Sequence, residues 1–77
     1  MIDLKAVDSS MIAAAGYDPE TRTLVVLFNN VKAYEYHGVP QEEYEGLMAA
    51  ESKGSYMRAH IIDSYPNNIF RGRRKAS

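Results

Sequence analysis

The chain contains no cysteine and no tryptophan among its 77 residues. The lack of cysteine excludes a disulfide scaffold, a thiolate metal site and a cysteine nucleophile. The two histidines are too few for an ordinary zinc site. Ser9 and Ser10 are possible nucleophiles, but no base is fixed beside them in the sequence. We therefore expect a non-enzymatic protein without a metal or a cofactor.

The chain also lacks any apolar run that approaches the length of a membrane span. Its first residues, Met1–Lys5, do not have the charged-then-apolar layout of a signal peptide. Together with the lack of cysteine, these features lead us to expect a cytoplasmic protein. A chain this short forms one domain and buries only about 60% of the surface that its unfolded form exposes, so self-association would add stability.

Charge is divided unevenly along the chain. Residues 1–70 hold five Lys or Arg and ten Asp or Glu, which gives −5, whereas residues 71–77 hold four basic and no acidic residues, which gives +4. We predict a single domain over residues 1–70 and a basic, disordered tail over residues 71–77. The acidic domain disfavours non-specific nucleic-acid binding, but the tail can contact phosphates. Its candidate nucleic-acid-binding residues are Arg71, Arg73, Arg74 and Lys75.

Three strands precede two helices in the predicted order of elements. The strands are expected over Met11–Tyr17, Thr23–Phe28 and Lys32–His37. Pro40 suits the first turn of a helix, and a mostly apolar stripe at helical spacing follows it. Ser52 or Ser55 can cap a second helix that ends before Pro66. This order predicts an α+β domain with a three-stranded antiparallel β-meander followed by two short helices packed on one face.

Tyr34 and Tyr36 lie on the same face of the third predicted strand, because side chains alternate along a strand. Tyrosine rings can stack on bases, so the pair is a candidate ligand-binding platform. The same pair is also typical of a core whose hydroxyl groups reach the edge of a pocket.

The register of the hairpin at Asn29–Asn30 decides which face the tyrosines share. A two-residue turn pairs Phe28 with Val31, whereas a bulged three-residue loop pairs Phe28 with Lys32, and a slip of one residue moves every side chain to the other face. In the bulged register the tyrosines share the face of Leu24, Val26 and Phe28. The opposite face then carries an apolar patch, through which we expect a homo-oligomer. The patch consists of Val25, Leu27 and Ala33.

A turn of small residues precedes the second predicted helix. Free backbone N–H groups and the helix dipole favour an anion at such a position. Arg58, together with a lysine in the turn, would add charge-assisted hydrogen bonds to a phosphate. The alternative is an ordinary helix cap between two helices. The candidate ligand-binding residues of the turn are Ser52, Lys53, Gly54 and Ser55.

A larger set of residues matches a known family in order and spacing. The set is Ser9–Ser10, Gly16–Asp18, Leu24, Val26, Phe28, Tyr34, Tyr36, Val39–Pro40, Tyr44, Leu47, Ala50, Ser52, Gly54, Tyr56 and Ile61. Over about Val7 to Tyr65 the chain resembles the KTSC family, found at the C-terminus of some lysyl-tRNA synthetases and as free-standing small bacterial and phage proteins. The resemblance favours the bulged hairpin and implies RNA binding. The family usually has a glycine in the hairpin, where this chain has Val31. It commonly has a polar amide residue in the last helix, where this chain has Arg58.

The first hypothesis is therefore an RNA-binding module that uses tyrosine stacking, Lys53, Arg58 and the basic tail. A second hypothesis is an oligomeric small-molecule binder that holds a nucleotide-like anion at the turn before the second helix. A third is a protein-interaction domain that uses the open face of the sheet.

Overall fold

A computed structural model describes residues 4–29 and 32–70, and it has an α+β architecture. The strands form one antiparallel sheet in the order of the sequence, and the predicted meander lies at its centre. Two short edge strands were not predicted. The tail over residues 71–77 lies outside the described part of the chain. The five strands are β1 (Lys5–Ala6), β2 (Ile12–Asp18), β3 (Thr23–Phe28), β4 (Ala33–His37) and β5 (Asn67–Ile69).

The register between β3 and β4 is the bulged one. The amide of Phe28 donates to the carbonyl of Lys32 at 2.9 Å, and Leu24 pairs with Tyr36. A three-residue loop therefore connects the strands, although Asn30 and Val31 themselves lie outside the described residues. This register turns the two tyrosines of β4 to the face that the helices cover.

The helices follow β4 as α1 (Gln41–Ala49) and α2 (Lys53–Tyr56), and α2 continues directly into a π-helical segment (Met57–Ile61). Pro40 precedes α1 as its N-cap residue in an extended conformation, one position earlier than predicted. In the π-helical segment the amide of Ile62 donates to the carbonyl of Met57 at 2.8 Å. Met57 and Ile61, the first and last residues of this segment, are both buried in the core.

The core lies between the helices and one face of the sheet. Burial of these apolar side chains supplies the main stabilisation of the fold. The buried residues are Ile12, Ala15, Leu24, Val26, Tyr36, Val39, Leu47, Met57 and Ile61.

The opposite face of the sheet is more polar and less open than expected. Val25 lies on this face in the central strand, between Gly16 and Glu35, and it is 0% exposed. Asn68 Nδ2 donates to Glu35 Oε1 at 2.8 Å, and Asn68 Oδ1 lies 2.6 Å from His37 Nε2. The predicted exposed patch is therefore wrong for Val25, and its other members, Leu27 and Ala33, are half-buried.

Candidate functional site

Tyr34 and Tyr36 do not form an exposed platform. Tyr36 is 4% exposed within the core, and burial, followed by the neighbouring Tyr34, raises the pKa of its hydroxyl. Tyr34 is half-buried, and its ring meets that of Phe28 edge-on with the centroids 5.9 Å apart. The prediction that Tyr36 stacks on a ligand is wrong, because the bulged register directs its ring into the core.

The turn before α2 is held by bonds within the chain. Ser52 Oγ accepts from the amide of Ser55 at 3.3 Å and donates to Ser55 Oγ at 3.0 Å. Lys53 Nζ donates to the carbonyl of Ala50 at 3.0 Å, at the end of α1. The geometry therefore favours the ordinary helix cap over the predicted anion site, since the cap and the lysine ammonium already have partners.

Gly54 has a packing role in the same turn. A Cβ atom at this position would lie 2.9 Å from Met11 Sδ, so glycine allows Met11 to approach α2 closely. The exposed side chain of Arg58 reaches the same methionine, with Nη2 4.0 Å from Sδ. The contacts of Met11 thus bring Arg58 next to the chain that leads into β2.

The segment before β2 is fixed to the β3–β4 hairpin. Ser9 Oγ accepts from the amides of Met11 at 3.1 Å and Ile12 at 3.2 Å. The amide of Asn29 donates to the carbonyl of Met11 at 2.9 Å, and Asn29 Nδ2 donates to the carbonyl of Ser9 at 3.0 Å. Ser9 is therefore a structural residue that ties the segment to the hairpin.

These contacts place two cationic residues, Lys32 and Arg58, at one end of the sheet, which we call the hairpin end. It comprises Ser9–Met11, Asn29, Lys32, Arg58 and Phe70. The amide of Phe70 donates to the carbonyl of Ala33 at 2.9 Å, so the chain leaves the sheet beside Lys32. The basic residues 71–77 follow directly in the sequence. Arg58 and Lys32 thus lie at the end of the sheet where the described chain ends at Phe70.

The opposite end of the sheet carries Arg22, in the turn between β2 and β3. Its φ of 56° is the left-handed conformation, which asparagine tolerates better than most residues. The carbonyl of Arg22 accepts from the amide of Val39 at 2.9 Å and helps to fix the approach to α1. Arg22 is exposed and lies far along β3 from the hairpin end, so it is a natural control for the charges there.

A second polar cluster, which the sequence did not suggest, joins α1 to the end of α2. Tyr56 Oη donates to Glu43 Oε1 at 2.7 Å, and this bond is the main cause that raises the pKa of Tyr56 to about 12. The Tyr56 ring stacks on His60 with the centroids 4.3 Å apart. Burial, and then Glu43, also raises the pKa of Tyr65. The local sign of this contact in the sequence is Gly46 in the middle of α1, because a side chain at this position would meet the Tyr56 ring.

The raised pKa of Tyr56 predicts a dependence of stability on high pH. The folded state holds the Tyr56 proton up to about pH 12, whereas the unfolded chain releases it near 10.0. The stabilisation is therefore complete below pH 10.0 and is lost between there and about pH 12. Denaturation at a series of pH values should show the wild type losing its advantage over Tyr56→Phe in this range. A constant difference between the two proteins would contradict the role of the Glu43 bond.

The fold and the hairpin end define a small α+β domain with a basic end, and residues 8–65 match the KTSC domain. The chain belongs to the KTSC domain family. A crystal structure of a KTSC domain protein from Yersinia pestis is similar, with a TM-score of 0.88 and 31% sequence identity. The similarity covers 91% of this chain and 99% of the Yersinia chain.

Relatives occur both as small proteins and within a longer enzyme. A protein of Tsukamurella paurometabola is 43% identical over 58 residues, which cover 75% of this chain and 87% of that protein. The lysine–tRNA ligase of Nostoc sp. is 41% identical over 54 residues, which cover 70% of this chain but only 10% of the ligase. The domain is therefore similar to both nearly whole small proteins and a small part of a tRNA ligase.

Residues 4–29 and 32–70 contain no helix that is long and apolar enough to cross a membrane. Within the same residues, no group of three or more histidine, aspartate or glutamate side chains is arranged to hold a metal ion.

Proposed function

We propose that this protein is a non-enzymatic RNA-binding module that works in the cytoplasm and contacts RNA through its hairpin end. The observation that carries the proposal is the presence of Arg58 and Lys32 at one end of an otherwise acidic domain, at which Phe70 precedes the basic residues 71–77 in the sequence. Cations grouped at one end attract the phosphate backbone, while the acidic remainder repels it. RNA would therefore meet the domain in one orientation.

The proposed contacts differ in kind along this end. Arg58 is exposed beside Met11, and its guanidinium group can hold a phosphate through two hydrogen bonds. Residues 71–77 supply four further cations for the neighbouring phosphates. The exposed Ser10 adds a hydroxyl group, and the exposed Asn29, whose Nδ2 already donates to the carbonyl of Ser9, adds its Oδ1 as an acceptor. Both groups can reach the sugar or base edges of an unpaired strand. Asp8 and Glu51 adjoin these elements in the sequence and would limit the affinity.

The Nostoc relative supports RNA as the partner. That protein is a lysine–tRNA ligase, and a segment of it is 41% identical to this chain. By extension, we propose that the domain of this chain also binds an RNA. The nucleotide-binding alternative has less support, because Ser52, Lys53 and Gly54 already have intramolecular roles.

Binding of labelled tRNA and of a short unpaired RNA, measured by fluorescence anisotropy, tests the proposal. Arg58→Gln should weaken binding roughly tenfold, because it removes a charged hydrogen-bonded contact. Deletion of residues 71–77 should weaken binding further and reduce its dependence on salt. Arg22→Asn is the matched control: it also removes one positive charge, but at the opposite end, and should leave the affinity within about twofold.

The proposal fails if the wild type does not bind either RNA at low salt. It also fails if Arg22→Asn and Arg58→Gln weaken binding equally, since net charge and not the hairpin end would then control the affinity. If Arg58→Gln lost binding to a mononucleotide but kept its binding to RNA, the result would instead support the small-molecule alternative.

A further inference from the structure

The outer edge of β5 presents backbone groups that do not pair with β4. The amide of Phe70 donates to Ala33, and the carbonyl of Pro66 accepts from the amide of His37. Backbone groups of an antiparallel strand point alternately toward and away from its partner. The backbone groups of residues 66, 68 and 70 therefore face β4, whereas those of Asn67 and Ile69 face outward. The carbonyl of Ile69 accepts from Asn68 Nδ2 at 3.1 Å and keeps its second lone pair for a further hydrogen bond.

The two edges of the sheet are protected unequally. β1 has two residues, and one of them is Lys5, a charge that discourages pairing with another strand. β5 contains no charged residue and no proline within Asn67–Ile69. Ile69 is 53% exposed, and the other exposed large hydrophobic residue among the described ones is Leu4, which is 39% exposed and precedes β1. The β5 edge is thus the one that can accept another strand.

We propose that two copies of this chain pair through β5 in antiparallel orientation and form a closed dimer. The two-fold axis would pass between the Asn68 residues of the two copies, which lie opposite each other. Asn67 of each copy would then lie opposite Ile69 of the other. The outward N–H and C=O groups of these residues can then form reciprocal hydrogen bonds. A strand that pairs with its own copy gives a symmetric interface that closes at two subunits.

Charge favours the second copy as the occupant and the antiparallel orientation. Each chain continues from β5 into residues 71–77, with a charge of +4. Antiparallel pairing places Phe70, where the described chain ends, at opposite ends of the interface in the two copies, whereas parallel pairing would bring the two Phe70 residues together. It also places Phe70 of each copy opposite Pro66 of the other. The exposed Asp63, three residues before that proline, is a negative charge near the point where the basic sequence of the other copy begins.

Sedimentation equilibrium over a wide range of concentrations tests the dimer. We expect a reversible dimer for the wild type, and Ile69→Lys should weaken it by roughly tenfold or more, because a charge on an edge strand opposes pairing. Leu4→Lys is the matched control, since it makes the same change beside β1, and it should dimerise like the wild type. A wild type that stays monomeric, or equal effects of the two substitutions, would overturn the proposal.

Amide hydrogen exchange gives a second readout on the unaltered chain. The outward amides of Asn67 and Ile69 should be protected at high protein concentration and should exchange faster on dilution. Exchange that does not change with concentration would contradict the interface even if Ile69→Lys failed to fold. The proposal is independent of RNA binding, because Arg58→Gln should leave the dimer intact and Ile69→Lys should leave the RNA contacts of Arg58 in place.

Discussion

Replacement of Tyr36 by alanine is expected to lower the free energy of unfolding by about 3–5 kcal/mol, as for other large aromatic residues removed from a core. Tyr36 is 4% exposed and packs in the same cluster as Leu47 and Met57. Its removal leaves a cavity between the sheet and the helices. For a domain of this size the loss is comparable with the whole stability, so chemical denaturation should show little or no folded protein.

Tyr36→Phe separates the structural role of the ring from a role in binding. This variant keeps the ring and removes only the hydroxyl group. We expect its stability to stay within about 1 kcal/mol of the wild type, in the range of one hydrogen bond, and its RNA affinity to be unchanged. A folded Tyr36→Ala protein with normal stability and no RNA binding would show that the tyrosine serves the ligand and not the core.

Gly46→Ala is expected to destabilise the protein by about 1–3 kcal/mol through overpacking. Alanine normally favours a helix over glycine by about 1 kcal/mol, so the sign of this prediction is unusual. A Cβ atom at Gly46 would collide with the hydroxyl group of Tyr56 and lie 2.8 Å from its Cζ. The ring would have to leave Glu43, whose carboxylate accepts its hydrogen bond at 2.7 Å. Thermal or chemical denaturation measures the loss.

Two comparisons identify the cause of this loss. In a Tyr56→Ala background, Gly46→Ala should become neutral or stabilising, because the colliding ring is gone. Gly54→Ala should cost less in the wild type, because the thioether sulfur of Met11, 2.9 Å from the new Cβ, can move, and Met11 Cβ, at 3.3 Å, needs to shift by only a few tenths of an ångström. A stabilising effect of Gly46→Ala in the wild-type protein would contradict the close contact between α1 and Tyr56.

The central part of the fold was predictable from local patterns, whereas the edges were not. Thr23–Phe28 is rich in residues that favour strands, and the family pattern identified the bulged register that β3 and β4 adopt. β5 contains Asn67 and Asn68, which disfavour strands. It is held to β4 by bonds from Asn68 to Glu35 and His37, more than 30 residues earlier in the chain. A local pattern cannot reveal a strand that depends on such distant partners.

The candidate site was predicted less completely for a similar reason. The tyrosine pair and the turn at Ser52–Ser55 are visible in the sequence, but their roles depend on what packs against them. The need for glycine at position 54 follows from the close approach of Met11, and the role of Glu43 follows from its hydrogen bond with Tyr56. Both contacts join separate elements. Arg58 was identified from the sequence as a cation near the turn. Its position beside the hairpin end follows only from the contacts of Met11 with Arg58 and Asn29.

The most direct test of the proposed RNA-binding end is a titration of the protein with a short unpaired RNA, followed by amide NMR spectra. We predict that the largest shifts fall on Ser9–Met11, Asn29 and Arg58, and that they disappear at high salt. Small shifts are expected at Arg22 and along α1, where the acidic residues Glu42 and Glu43 lie in the first turn. Shifts centred on Arg22 or α1, or no shifts at any RNA concentration, would contradict RNA binding through the hairpin end.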